Sequence, residues 1–408
     1  MDQRMMETTN TGLAYLQETF RGKRVLIFGY GREGKSTENF LKNHCMPETV
    51  DVFEGKVEDI DTNAYDVIMK SPGIVMLERR EKFTSQTELF LNAFGHQTIG
   101  VTGTKGKSTT ASMLYKVLHE CYEGDAILLG NIGLPCFDYA ADIKSENRIV
   151  FELSCHQLLH ITRAPHISIF LNLFEEHLDY YGDMEHYFAA KSHIATAQVP
   201  GDYLLVGENV PELSTEAIVI KLQKPSRNYQ LSIPGEHNKL NAEFVFKAAA
   251  LVEGTNLTAA RESIESFEGL PHRLQYFTTV DGVKYYDDSI STIPQATIQA
   301  SESIPDAGTF LVGGMDRGID YSLLVTFIQQ RQDLRFVLMY ETGKRIYESL
   351  AEKENVWLVA DLREAVKVAK EITKEGAVVL SPAAASYGYF KNFEERGEVF
   401  KELVRAND

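Results

Sequence analysis

Short apolar runs alternate with helix-length segments along the whole chain, and few folds accept that alternation. The runs read RVLIFGYG, YDVIMKSPG, TIGVTGT, RIVFELS, HISIFLNL, TFLVGG, RFVLMY and AVVLSP. Near-continuous apolar strands are buried on both faces, as they are when parallel sheets are covered by helices. The predicted class is α/β with mostly parallel sheets. Three blocks of the pattern succeed one another within 408 residues, a length that suits two or three domains. We set their bounds at 1–94, 95–269 and 270–408. Early in the third block, GVKYYDDS reads as a hairpin edge.

The most informative stretch is GVTGTKGKSTTASML, Gly100 to Leu114. A strand predicted over Thr98–Thr102 leads into Gly103-Thr104-Lys105-Gly106-Lys107-Ser108-Thr109. The next segment carries Met113, Leu114, Val117, Leu118 and Cys121 at the spacing of one helical face. Glycines let backbone N–H groups turn inward, and a helix N-terminus adds partial positive charge, so the loop suits phosphate. Lys107 would reach the β- and γ-phosphates, and Ser108 or Thr109 would ligate Mg²⁺. Only two residues separate Gly103 from Gly106, and Val101 stands where the longer P-loop has glycine. The loop is a shortened variant.

Further candidates cluster at predicted strand ends, where open α/β sheets present their chemistry. Glu152 closes the strand in RIVFELSCHQL and could hold Mg²⁺ directly or through water. A strand predicted over Ile167–Leu173 delivers Glu175, Glu176, His177 and Asp179, and Lys191 comes next on a helix beginning near Met184. Histidine beside carboxylates suits a metal, a base or merely a polar loop. In the first block Gly29, Gly31 and Gly34 form a Gly-x-Gly-x-x-Gly turn, and Asp51, 22 residues past Gly29, ends the next strand-like segment. That fingerprint fits NAD or any other diphosphate, a nucleotide-sugar included. KSPGI, Lys70 to Ile74, reads as a second turn facing the same crevice.

Taken together, these segments resemble the Mur ligases, ATP-dependent amino-acid-adding enzymes of peptidoglycan synthesis. GTKGKST is similar to their ATP loop, and GNIGLP to a segment along their UDP-sugar channel. ELSCHQL is similar to ELSSFQL, and NLFEEHLDYYGDMEHYFAAK to their N-x-x-x-D/E-H-x-D segment with its downstream lysine. GEHNKLNA, GLPHRLQ, LVGGMDRGIDYS and LSPAAASYGYFKNFEERG complete the series in order, the last close to the branch that adds D-glutamate.

The resemblance implies three domains: a Rossmann-like UDP-sugar domain, a P-loop ATPase-type central domain and a Rossmann-like amino-acid domain. It implies ATP-dependent ligation of glutamate to UDP-N-acetylmuramoyl-L-alanine through an acyl phosphate. Lys107 and Thr109 would hold the ATP phosphates and a first Mg²⁺, helped by Glu152, and His177 would ligate a second Mg²⁺. Lys191 matches the lysine that takes up CO₂ as a carbamate, an anionic oxygen ligand for the metal. Asn238 would approach the adenine, and Arg273 with Asp288 would close over the nucleotide. Asn131, Ser154 and Gln157 would lie along the muramoyl substrate. Gly29, Gly31 and Gly34 would bind the diphosphate beside Ser71, with Asp51 near the uracil, so a nucleotide-sugar displaces NAD. Arg317, Ser386 and Phe393 match positions around the incoming glutamate. One departure is plain: the branch reads Asp-Ser-Lys-Ala-Thr-Asn where this chain has Asp288-Ser289-Ile290-Ser291-Thr292-Ile293. Ile290 cannot replace an ammonium, so Arg317 carries more of that charge or the acceptor differs. L-glutamate, or the polyglutamate extension of folate, is then the alternative within the superfamily; a non-ligating P-loop switch is the alternative outside it.

Bulk properties agree with a soluble enzyme. Hydrophobic residues make up 44% and charged residues 24%. A net charge of −17 argues against a nucleic-acid surface. The first twenty residues lack the apolar run of a signal peptide, and nothing approaches the ~20 apolar residues of a membrane span. Cys45, Cys121, Cys136 and Cys155 are scattered without CxxC pairing, so neither zinc nor a disulfide framework is expected. A cytoplasmic monomer is the expectation.

Overall fold

The computed structural model describes residues 11–131, 134–176, 178–233, 235–304 and 306–406. Among these residues there are sixteen strands in chain order. They are β1 Arg24–Phe28, β2 Thr49–Phe53, β3 Val67–Lys70, β4 Phe83–Thr84, β5 Thr98–Thr102, β6 Ala126–Gly130, β7 Arg148–Glu152 and β8 Ile167–Phe170. The rest are β9 Tyr203–Gly207, β10 Ile218–Leu222, β11 Gln275–Val280, β12 Val283–Asp287, β13 Ala307–Val312, β14 Arg335–Met339, β15 Val356–Val359 and β16 Ala377–Leu380. Among the described residues they form three sheets, ordered β2-β1-β3-β4, β10-β9-β8-β5-β7-β6 and β11-β12-β16-β13-β14-β15. Pairing is parallel throughout the first two sheets. In the third, only the β11–β12 hairpin is antiparallel. The α/β class and the hairpin edge agree with the sequence.

By packing, the chain divides into two units: one runs to Gln230 and includes His237–Ser266, the other comprises Leu231–Glu236 and the chain from Phe267 on. The first unit contains two sheets because one apolar core runs through both. Phe20, Phe40 and Phe90 come from the first block, and Phe137, Phe151 and Phe170 from the second. Phe40 lies 4.7 Å from Phe137, and Phe90 meets Phe151 edge-on at 5.6 Å.

In the second unit the buried helix-borne Arg396 donates to Ser289 Oγ at 3.0 Å, Ser289 O at 2.7 Å and Ala384 O at 3.0 Å. It ties the loop after β12 to the loop after β16.

Two sequence expectations shift. The strand expected over Ile167–Leu173 ends at Phe170. Asn172 leaves the ladder because its carbonyl accepts from Thr104 N at 3.0 Å. Asp51, expected at a strand end, sits in the middle of β2 opposite Leu26, since β2 is an exposed edge strand on which a carboxylate is tolerated.

The turn after β1 depends on two glycines. Gly29 has φ +91°, which favours glycine, and a Cβ on Gly34 would collide with the carbonyl oxygen of Gly29. A Cβ on Gly31 would meet open space. Gly34→Ala should therefore lower stability by about 1–3 kcal/mol, as overpacking does, while Gly31→Ala leaves it unchanged or slightly higher. Thermal denaturation of the two variants checks the contrast.

Candidate active site

Strand order builds the site. β5 lies between β8 and β7, so the loop after β5 is flanked by the C-terminal ends of both neighbours. Gly103 (φ +152°) and Gly106 (φ +82°) let that loop turn into the helix Lys107–Cys121. A Cβ on Gly106 would press on Asn241, whose amide lies 3.2 Å from where that carbon would sit. Asn172, just past β8, clamps the loop from below: its Oδ1 accepts from Lys105 N at 2.8 Å and its Nδ2 donates to Lys105 O at 3.0 Å. Thr104 Oγ1 accepts from Phe174 N at 2.9 Å. Lys107 folds over the loop and donates to the carbonyls of Gly103 and Thr104, each at 2.9 Å.

From the β7 side comes Glu152, fully buried as the last residue of its strand. Its Oε1 accepts from Ser108 Oγ at 3.2 Å and Asn131 Nδ2 at 3.3 Å. Its Oε2 is buried with no hydrogen-bond partner. An unpaired carboxylate oxygen shut away from water is costly. Hard oxygen ligands beside a phosphate loop are what Mg²⁺ requires, so the donor set fits that ion. Thr109 comes next to Ser108 on the same helix and is half-buried.

Lys191 is almost completely buried on the helix Met184–Thr196 and donates to Gly103 O at 2.9 Å. Its ammonium stands 5.0 Å from the centre of the Tyr187 ring. Burial, with Lys107 nearby adding repulsion, pulls its pKa down to about 7. A substantial fraction of the side chain is then a neutral amine at neutral pH.

A cavity of about 390 Å³ opens beside these groups, and Lys107, Asn131, Ser154, Gln157 and Lys191 all line it. Arg32 and Glu33, from the turn after β1, form its other wall. Ser154 and Gln157 are locked together by a capping box on the short helix Cys155–Leu158. At the turn itself, Ser71 Oγ donates to Gly29 O at 2.8 Å. Lys70, buried below, donates to the carbonyls of Ser71 and Ile74 at 3.1 and 2.9 Å, and burial lowers its pKa to about 8. Asn238 reaches the loop through Asn241, from which it accepts at 3.0 Å. Asp51 is not among the cavity's lining residues. His177 lies outside the described residues.

In the second unit, the ends of β12, β16 and β13 are neighbours. Asp288 is buried there, accepting from Ser291 Oγ at 2.5 Å, Ser381 Oγ at 2.7 Å and Leu274 N at 3.1 Å. Burial pushes its carboxyl up to about 6 against those bonds. Arg317 donates to Thr292 O at 3.1 Å, Ser386 is buried, and Phe393 O accepts from Ser289 Oγ at 2.8 Å. Arg273 is exposed and Ile290 half-buried.

Sequence reasoning gave no individual role to Glu33, Arg32, Lys70, Asn172 or Arg396, although Lys70 opens the quoted KSPGI turn and Asn172 the quoted N-x-x-x-D/E-H-x-D segment. The first two occupy the variable positions inside the Gly-x-Gly-x-x-Gly turn, and Asn172 sits just past a strand beside β5; those placements were the available signals. Arg396 had none.

This combination of a short phosphate loop, a buried strand-end glutamate and a buried lysine around one cavity defines a nucleotide-using α/β enzyme. The family model of the Mur ligase middle domain matches residues 101–245. The chain is 33% identical to a UDP-N-acetylmuramoylalanine–D-glutamate ligase of Geobacillus kaustophilus, over 94% of this chain and 98% of that protein. With the protein of the same name from Aquifex aeolicus it shares 31% identity, over 93% and 98%. The MurF ligase of Thermotoga maritima, solved with ADP, has the same fold at a TM-score of 0.57, with 16% identity and 95% of each chain covered. The chain belongs to the Mur ligase family, in the branch of the UDP-N-acetylmuramoylalanine–D-glutamate ligases. Among the described residues no helix is long and apolar enough to cross a membrane.

Burying Lys191 has a measurable cost. The unfolded lysine titrates near 10.5 and the folded one near 7. Between those values the unfolded state binds the extra proton, so stability rises with pH; below about 7 the whole penalty is present. Lys191→Met should be more stable than the parent at pH 6–7, by on the order of 3 kcal/mol. That margin should shrink as pH rises towards 10, as urea denaturation at several pH values would reveal.

Proposed function

We propose that this chain is an ATP-dependent amide ligase that joins D-glutamate to UDP-N-acetylmuramoyl-L-alanine in peptidoglycan synthesis, working as a cytoplasmic monomer. The observation that carries the reading is Lys191: a buried amine on the phosphate-loop carbonyl, in one cavity with Lys107, Ser154 and Gln157. Near full-length similarity to ligases of that name supports the choice of substrates.

The chemical task is to make a carboxylate electrophilic. A carboxylate oxygen of the L-alanyl group attacks the γ-phosphorus, the bond to the β-phosphate oxygen breaks, and ADP leaves. The glutamate nitrogen then attacks the acyl carbon and loses a proton. The tetrahedral adduct collapses by expelling phosphate, which keeps the oxygen the carboxylate supplied. Each step gathers anions, so fixed cations and N–H groups dominate the design. Lys107, with the backbone of Gly103, Thr104, Lys105 and Gly106, is assigned to the β- and γ-phosphates, and Asn238 to the adenine side. Thr109 and Glu152 are assigned to Mg²⁺, and His177 to a second ion on the resemblance alone. Bound there, the metal supplies charge neutralisation for the transferring phosphoryl group.

Lys191 is assigned a carbamate. Its neutral amine attacks CO₂, a nitrogen–carbon bond forms and a proton is released, turning a cationic side chain into an anionic oxygen donor. A low pKa and the exclusion of water favour this step. Gly29, Gly31, Gly34 and Ser71 are assigned to the UDP diphosphate, Asp51 to the uracil, and Asn131, Ser154 and Gln157 to the muramoyl group. In the second unit Arg317, Ser386 and Phe393 are assigned to glutamate, with Arg317 pairing a carboxylate where Ile290 offers none, and Arg273 and Asp288 are assigned to the nucleotide.

Phosphate release should require UDP-N-acetylmuramoyl-L-alanine and glutamate together, with D-glutamate favoured over the L form in a product assay. ATP turnover indifferent to both substrates would refute ligation. Lys191→Ala should lose more than about a hundredfold in kcat and regain part of it with added formate or acetate; an unimpaired variant would remove the carbamate.

A further inference from the structure

Glu33 lies between Gly31 and Gly34 of the turn assigned to the nucleotide-sugar, in the first turn of the helix Arg32–His44. It faces inward. Its Oε1 accepts from Gln157 Nε2 at 3.1 Å, a bond spanning 124 residues of sequence. The amide of Gln157 has no freedom to flip, because its Oε1 already accepts from Ser154 N at 3.0 Å and Ser154 Oγ at 3.1 Å. Glu33, Gln157 and Ser154 therefore form one chain from the diphosphate turn to the residues assigned to the muramoyl group. The other oxygen, Oε2, is shut off from solvent and has no hydrogen-bond partner.

An ionised carboxylate here would be poorly solvated, and it would stand on the very turn assigned to a diphosphate. Like charges at close quarters cannot both persist in a low-dielectric site. The protonated acid carries no charge to desolvate or to repel the diphosphate, and its carbonyl oxygen still accepts from Gln157. We propose that binding of the nucleotide-sugar diphosphate is coupled to proton uptake at Glu33, which in the bound state is a neutral acid that positions Gln157 and Ser154. The proposal rests on the assignment of that turn to the UDP-sugar.

The surroundings agree. Burial raises the Glu33 carboxyl above the usual carboxylate range, while Gln157, Arg32 and Lys70 partly oppose it. Lys70 is the cation from the end of β3, committed to two backbone carbonyls. From the turn Cys136–Asp138 the Cys136 thiol faces Glu33, its own pKa raised by burial. His156, Lys107 and Lys191 line the same cavity. An added diphosphate outweighs a distant ammonium and pushes the carboxyl further towards its protonated form. Affinity for the nucleotide-sugar is then highest at low pH and falls as pH rises through the titration of free Glu33.

The test is calorimetric titration of the full-length protein with UDP-N-acetylmuramoyl-L-alanine, at one pH near neutrality, in two buffers of different ionisation enthalpy. The parent should take up a substantial fraction of a proton on binding, and Glu33→Gln, which keeps an acceptor for Gln157, should take up markedly less. Across a pH series the parent's Kd should rise by up to about tenfold per pH unit over that titration, and that of Glu33→Gln should rise more shallowly, keeping only the share due to Lys191 and Lys70. Glu33→Ala, lacking the acceptor, should bind several-fold more weakly than Glu33→Gln. Equal proton uptake by parent and Glu33→Gln, or none by the parent, would overturn the proposal, and Glu33→Ala, which also lacks the carboxyl, serves for the same comparison if Glu33→Gln fails to fold. A parent that binds ATP but not the nucleotide-sugar would overturn the substrate assignment itself, and this proposal with it.

Discussion

Parallel pairing of β5 with β7 on one side and β8 on the other is the constraint on which the rest of the site depends. Parallel strands end at the same edge, so the pairings Val101–Glu152 and Thr102–Phe170 bring three loops side by side. Glu152 arrives under Ser108 from one neighbour, and Asn172 arrives under Lys105 from the other. Neither contact needs a special loop conformation beyond the two glycines at positive φ. Without this register the phosphate loop would be a corner between a strand and a helix, with no carboxylate beneath it.

On that frame the electrostatics are deliberately unbalanced. The chain carries a net charge of −17, yet its cavity presents Lys107, Lys191 and Arg32 against the carboxyl of Glu33. Burial holds two of the cavity's groups off their ordinary titration, Lys191 downwards and Glu33 upwards. Perturbed groups that converge on one cavity are a functional signature rather than a structural one. Lys191 donates to the carbonyl of Gly103, and Lys70 to those of Ser71 and Ile74.

Much of this was legible in the sequence, for a physical reason. Strands buried on both faces must be continuous apolar runs, so Thr98–Thr102 and Arg148–Glu152 announce themselves, and a glycine pair before Lys-Ser-Thr marks the phosphate loop between strand and helix. The resemblance to the Mur ligases then suggested roles that no residue pattern could, such as the one proposed for Lys191. Residues whose partners lie far away in sequence stayed hidden. Arg396 reads as one more charge on an amphipathic helix until the fold carries it to Ser289, 107 residues away. Glu33 reads as a first-turn carboxylate placed for the helix dipole, and only the structure turns it towards Gln157. Asp51 was misplaced within its strand because an exposed edge strand has no apolar pattern to mark its end. The first two sheets share a core through aromatic residues whose partners no periodicity reveals.

The central claim is that this site activates a carboxylate by phosphorylating it. Oxygen transfer tests that most directly. UDP-N-acetylmuramoyl-L-alanine labelled with ¹⁸O in its alanyl carboxylate is turned over with ATP and D-glutamate, and the released phosphate is analysed by mass spectrometry. The account predicts one labelled oxygen in each phosphate. Unlabelled phosphate accompanying amide product would contradict it.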